Sequence, residues 1–116
     1  MKTLARFLLA ILIVSFASVT SFAYDVPPLN GRVNDNAGLL TVDQRSALTE
    51  TLRALEERTT AQVAILTVKD LQGGDIKSFA LKVAETWKLG QKGKDNGLLI
   101  LYTVKEDRYR LEVGYG

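Results

Sequence analysis

Lys92-Gly-Lys-Asp-Asn-Gly97 runs directly into Leu98-Leu-Ile-Leu-Tyr-Thr-Val104, and after the polar turn Lys105-Glu-Asp107 the chain returns as Arg108-Tyr-Arg-Leu-Glu-Val-Gly-Tyr-Gly116. A glycine-punctuated turn feeding a stretch that is apolar at both parities predicts a strand covered on both faces. In the return segment Tyr109, Leu111, Val113 and Tyr115 alternate with Arg108, Arg110, Glu112 and Gly114. That period of two predicts a strand open on one face, paired antiparallel with 97–104.

Working backwards, Gln62-Val-Ala-Ile-Leu-Thr-Val68 is again apolar at both parities and rich in β-branched residues. Between the two buried strands, Gly73-Gly-Asp75 breaks and caps, and Ile76, Phe79, Ala80, Val83 and Trp87 form an apolar helical stripe closed by Gly90. Strand, helix and strand then compose a right-handed crossover with parallel strands. Further upstream, Thr41 with Gln44 fits a capping box, and Leu48, Leu52 and Leu55 share one face, which predicts a helix over 42–58. The Asn/Asp/Gly cluster within Val33-Asn-Asp-Asn-Ala-Gly-Leu-Leu40 predicts a turn. Tyr24 to Arg32 holds both prolines and Gly31 and is expected to be a linker. The fold class is α/β: a three-layer α/β/α sandwich on a small mixed sheet, parallel in its βαβ part and antiparallel in its C-terminal hairpin. The chain ends inside what reads as a strand, so the domain over 33–116 is expected to continue past Gly116.

Met1 to Ala23 reads as a secretory signal peptide. Lys2 and Arg6 precede the apolar run Phe7 to Val14, Ser21-Phe-Ala23 offers small residues for cleavage, and serines interrupt the run before the ~20 apolar residues of a spanning helix. The whole chain has 15 Lys+Arg against 13 Asp+Glu. Removing the leader removes Lys2 and Arg6, leaving 13 of each sign and no electrostatic warrant for nucleic acid as a partner. Cysteine and histidine are both absent. Within these residues that excludes disulfide staples, a Ser/His/Asp triad, a thiolate nucleophile, a histidine phosphoenzyme and Cys/His zinc sites.

Val33-Asn-Asp35, Ala37-Gly-Leu-Leu40, Leu55-Glu56, Thr59, Gln62-Val63, Trp87-Lys-Leu-Gly90, Lys92-Gly93, Asp95-Asn-Gly97 and Glu112-Val-Gly-Tyr-Gly116 together resemble the TPM domain family. Its members occur in thylakoid-lumen proteins linked to photosystem II repair, in exported bacterial proteins and in animal membrane-associated proteins. The resemblance implies an α/β/α sandwich with further helices after the position of Gly116, sometimes bound calcium, and often a membrane tether in a later hydrophobic helix. It splits the functional expectation, since some plant relatives are described as acid phosphatases and others act in assembly, repair or receptor modulation.

Asp35, Asp95 and Asn96 are the candidate metal ligands, because a hard cation such as calcium takes carboxylate and amide oxygens; the alternative is that all three serve turn chemistry. Gly90-Gln-Lys-Gly-Lys94 misses the Walker spacing, with Lys88 where the first glycine belongs and Asp95 where Ser or Thr is needed. Arg108 and Arg110 suit either anion binding or an exposed strand face that deters edge pairing. Trp87 belongs to the core stripe. A phosphatase built from these residues needs metal-assisted hydrolysis or an aspartyl phosphoenzyme through Asp95 or Asp35. The leading expectation is an exported, extracytoplasmic module of the cell envelope that binds a protein partner in assembly or repair, with calcium organising its loops; a metal-dependent acid phosphatase is the alternative.

Overall fold

The computed structural model describes residues 25–114; the leader expectation for 1–23, together with Tyr24, Tyr115 and Gly116, lies outside them. The elements are β1 (Val33–Asp35), α1 (Val42–Thr59), β2 (Gln62–Val68), α2 (Ile76–Trp87), β3 (Gly97–Thr103) and β4 (Arg108–Gly114). They form one sheet in the order β1-β2-β3-β4, with β1, β2 and β3 parallel and β4 antiparallel to β3. Parallel pairing of β2 with β3 runs from Gln62 opposite Gly97 to Val68 opposite Thr103.

The local signals explain the elements. Thr41 accepts from the Gln44 amide while the Gln44 side chain accepts from the Thr41 amide, closing the capping box. Asp75 caps α2 by accepting from the Ser78 amide at 2.9 Å. Helix α2 ends at Lys88, which takes the left-handed conformation itself, so the expected closing glycine, Gly90, is used elsewhere. The predicted turn over 33–40 begins instead as β1, whose three residues pair with Ile65, Leu66 and Thr67. Its polar residues hid it: Asn34 is buried, donating to the Gly31 and Ile65 carbonyls and accepting from the Asn30 amide.

Two cores result. On one face Phe79, Ala80, Val83 and Trp87 of α2 pack on Ala64, Leu66, Leu99 and Leu101. On the other, Leu48, Leu52 and Leu55 of α1 pack with Val33, Val63 and Ile65, and with half-buried Leu98 and Ile100. The chain is therefore the expected three-layer α/β/α arrangement. Residues 25–32 are less free than a linker: Val26 packs on the α2 core, and the Trp87 indole donates to the Pro27 carbonyl at 2.8 Å. Proline lacks an N–H but keeps an acceptor, which is the group used here.

Both parallel crossovers step across the sheet in the same direction, yet α1 and α2 lie on opposite faces. Two such steps must have opposite hands, so one of them departs from the right-handed rule.

Among the described residues, the cover on the α1 side stops short of β4. Tyr109 is 74% exposed, Leu111 55% and Val113 44%. The alternation in β4 thus presents its apolar residues outward. Arg110 and Glu112 point to the α2 face and pair there at 3.0 Å, with side chains only 34% and 14% exposed. The expectation of Arg110 on a solvated face is corrected accordingly.

After α2 the backbone of Leu89 and Gly90 crosses directly over the Gly97–Gly114 pair that starts β3 and ends β4. A Cβ on Gly97 would sit 2.5 Å from the Leu89 carbonyl carbon, and one on Gly114 would sit 2.6 Å from the Leu89 oxygen. Gly97→Ala and Gly114→Ala are therefore expected to lose about 1–3 kcal/mol to overpacking. Gly93→Ala, where a Cβ meets nothing within 4 Å and only the positive φ opposes it, is expected to lose about 1 kcal/mol. Urea unfolding of the three variants measures the difference.

Candidate functional site

In open α/β sheets, ligand crevices form at the carboxyl ends of neighbouring parallel strands whose connections leave toward opposite faces. Here that point lies between β1, which leads to α1, and β2, which leads to α2. Two cavities flank it, and Asn36 lines both: one of about 430 Å³ beside Arg32, Arg45, Ser46 and Thr49, the other of about 380 Å³ beside Asp25, Lys69, Asp70 and Gln72.

Asp35 stands at the centre. Its Oδ1 accepts from the Thr67 hydroxyl at 2.6 Å and the Leu39 amide at 3.0 Å, and its Oδ2 accepts from the Leu40 amide at 2.8 Å. Partial burial pushes its pKa up, but the Thr67 hydroxyl, the two amides and the Arg45 charge together outweigh that and hold it below the ordinary carboxylate value. The carboxylate is thus committed to shaping the loop of residues 36–40, and Thr67 completes the arrangement by accepting from the Ala37 amide at 3.0 Å.

The end of β3 repeats the pairing. The Thr103 hydroxyl, fully buried, donates to Glu106 at 2.6 Å, and the same carboxylate accepts from the Leu71 amide at 3.2 Å. Those bonds hold the Glu106 pKa below its ordinary value, the Thr103 hydroxyl contributing most. Glu106 so joins the loop after β2 to the turn after β3. Sequence reasoning passed over Thr67, Thr103 and Glu106; the available signal was the repeated Thr-Val at the ends of two otherwise apolar strands, Thr67-Val68 and Thr103-Val104.

Asp95 and Asn96 lie at the opposite end of the sheet. Asn96 precedes β3; its Oδ1 accepts from the Gln91 amide at 2.6 Å, its Nδ2 donates to the Thr60 carbonyl at 2.8 Å, and its carbonyl accepts from the Gln62 amide at 2.7 Å. Gln62 and Thr67, their neighbours on β2, lie five residues apart, so Asn96 and Asp35 are separated by roughly 17 Å along the strand. The three candidate metal ligands are therefore not brought together, and no single ion can touch all of them. Of the three, Asp95 has a carboxylate with no partner among the described residues, at an exposed position with φ 49°. Among the described residues no three Asp, Glu, His or Cys side chains converge in a way that could hold a metal ion. No helix among them is long and apolar enough to cross a membrane.

The architecture defines a class: a small mixed-sheet α/β/α domain whose loop-shaping carboxylates sit at the strand ends. The TPM domain pattern matches residues 33–116, and the chain belongs to that family. Among solved structures it is similar to the N-terminal domain of a protein from P. gingivalis, at 33% identity and a TM-score of 0.66, covering 72% of this chain and 54% of that one. It also resembles the N-terminal domain of the cg2496 protein from Corynebacterium glutamicum, at 14% identity and a TM-score of 0.63, covering 82% of this chain and 62% of that one. The second likeness concerns the fold alone. The chain thus spans less than two thirds of either structure, and no curated protein matches it.

Asp35→Asn is expected to cost about 1–3 kcal/mol at neutral pH, because amide nitrogen replaces one acceptor facing backbone N–H groups. A depressed folded pKa gives stability that is present above the unfolded carboxylate value and disappears as pH falls through the folded one. The wild type should therefore lose its advantage over Asp35→Asn on acidification below about pH 4; urea midpoints of both proteins across that range check the sign.

Proposed function

We propose that this chain is an exported module of the cell envelope that binds a protein partner in assembly or repair. The observation that carries the reading is the apolar face, left uncovered by the described residues, that Tyr109, Leu111 and Val113 of β4 make beside half-buried Leu98 and Ile100 of β3. Three exposed apolar side chains on one strand face, continuous with Leu98 and Ile100, make a contiguous patch of the kind that marks interaction sites. Support for a non-catalytic role comes from Asp35, whose oxygens already accept three donors within its own loop and from β2. Calcium enters this reading as a loop organiser near Asp95, and export follows from the leader-like residues 1–23.

The alternative, a metal-dependent acid phosphatase, takes its support from the family resemblance and from Asp95.

Two measurements test the proposal. A photo-crosslinking side chain at position 111 is expected to capture an envelope protein that the same group at Arg53 does not; Arg53 lies on the outer face of α1, bridging Glu50 and Glu57. Identical capture at both positions would remove the apolar face from the reading. Phosphate-ester hydrolysis with calcium, magnesium or chelator is expected to stay at background, and turnover lost on Asp95→Asn would establish the phosphatase instead. Calorimetry without calcium uptake removes the ion from either account.

A further inference from the structure

The two edges of the sheet are unlike. β1 has three residues, and the strap of residues 25–32 is stitched onto it through Asn34. β4 has seven, with no proline, and among the described residues no strand lies beyond it. A cavity of about 400 Å³ opens at its C-terminal end, between Leu81 and Glu85 of α2, Lys88 just after that helix, and Val113 and Gly114 of β4. A long edge of this kind, uncovered by the described residues, presents unpaired backbone groups that another strand can meet.

We infer that β4 pairs with β4 of a second copy of this chain, antiparallel about Leu111, making one continuous eight-stranded sheet. The charges select both the occupant and the register. A two-fold axis perpendicular to the sheet must pass beside one residue of β4, because residues directly opposite each other point to the same face. Centred on Tyr109, the axis puts Arg108 against Arg110 of the second copy; centred on Arg110 or Glu112, it sets each against itself. Like charges opposite each other destabilise a sheet. Centred on Leu111, the same axis places Arg110 opposite Glu112 of the second copy, twice. It also places Tyr109 opposite Val113, twice, and Leu111 opposite Leu111, so that exposed apolar residues meet across the join. Arg110 and Glu112 already lie on one face at 3.0 Å within each copy, and pairing extends that bond into a four-charge row. The pairing uses the backbone edge, and because Tyr109, Leu111 and Val113 also belong to the open face, a second copy crosslinked at position 111 would report this join, whereas a different protein captured there reports the proposed partner.

Sedimentation velocity of the purified protein over a wide concentration range is expected to show a monomer–dimer equilibrium. Glu112→Arg is expected to weaken it roughly tenfold by setting arginines opposite each other at two places. Arg110→Glu combined with Glu112→Arg keeps the internal pair and restores the cross-copy one, and is expected to recover the wild-type dissociation constant. Amide exchange on the unmodified protein covers the case in which the single variant misfolds: protection along β4 is expected to rise with concentration while that of β1 stays constant. A protein monomeric at every concentration, a double variant no better than Glu112→Arg, or concentration-dependent protection outside β4 overturns the inference.

Discussion

The crossing of the Leu89-Gly90 backbone over the Gly97–Gly114 pair is the constraint that the other elements accommodate. Helix α2 can lie flat on β3 only if the chain leaving it turns at once and passes the start of that strand without intervening side chains. Lys88 supplies the left-handed turn, Leu89 drops into the α2 core, and Gly90 lets the chain clear the sheet. Asn96 then ties the following loop back to Thr60 and Gln91. The side chains of Gln62 and Asn96 meet this crossing from the β2 side, with Gln62 accepting from the Gly90 amide at 3.0 Å. Gly90 and Gly97, seven residues apart, and the more distant Gly114 thus form one contact in space. That is the physical content of the motif residues Gly90, Gly97 and Gly114.

Much of this architecture was readable from residues because local and global signals agree. The Thr41/Gln44 box, the Asp75 cap and the apolar stripes of both helices each depend on neighbours a turn away, and a sequence displays those directly. The doubly buried strands β2 and β3 were legible from their unbroken apolar runs. What stayed hidden depends on distant partners. β1 owes its strand conformation to Ile65, Leu66 and Thr67, and its own Asn34 and Asp35 argue locally for a turn. The same oversight misplaced the candidate ligands. Asp35 ends its strand whereas Asp95 and Asn96 precede theirs, and in a parallel sheet those positions fall at opposite ends. The apolar side of β4 was recognised as a face, but nothing nearby in sequence tells how far across the sheet α1 reaches.

The opposite hands of the two crossovers have a local effect on chemistry. They send adjacent connections to different sides and open the sheet rim at Asn36, while the Thr67–Asp35 and Thr103–Glu106 bonds keep that rim from collapsing. Those carboxylates are consumed in architecture. Around the crevice Asn36, Lys69 and Asp25 are solvent-facing and mixed in charge.

Trp87 is the single tryptophan of the chain, and its indole N–H bonds the carbonyl of Pro27 from the strap of residues 25–32. The molecule thereby carries a built-in optical gauge. Its ultraviolet emission senses whether the N-terminal strap is seated or lifted, with no dye and no engineered label.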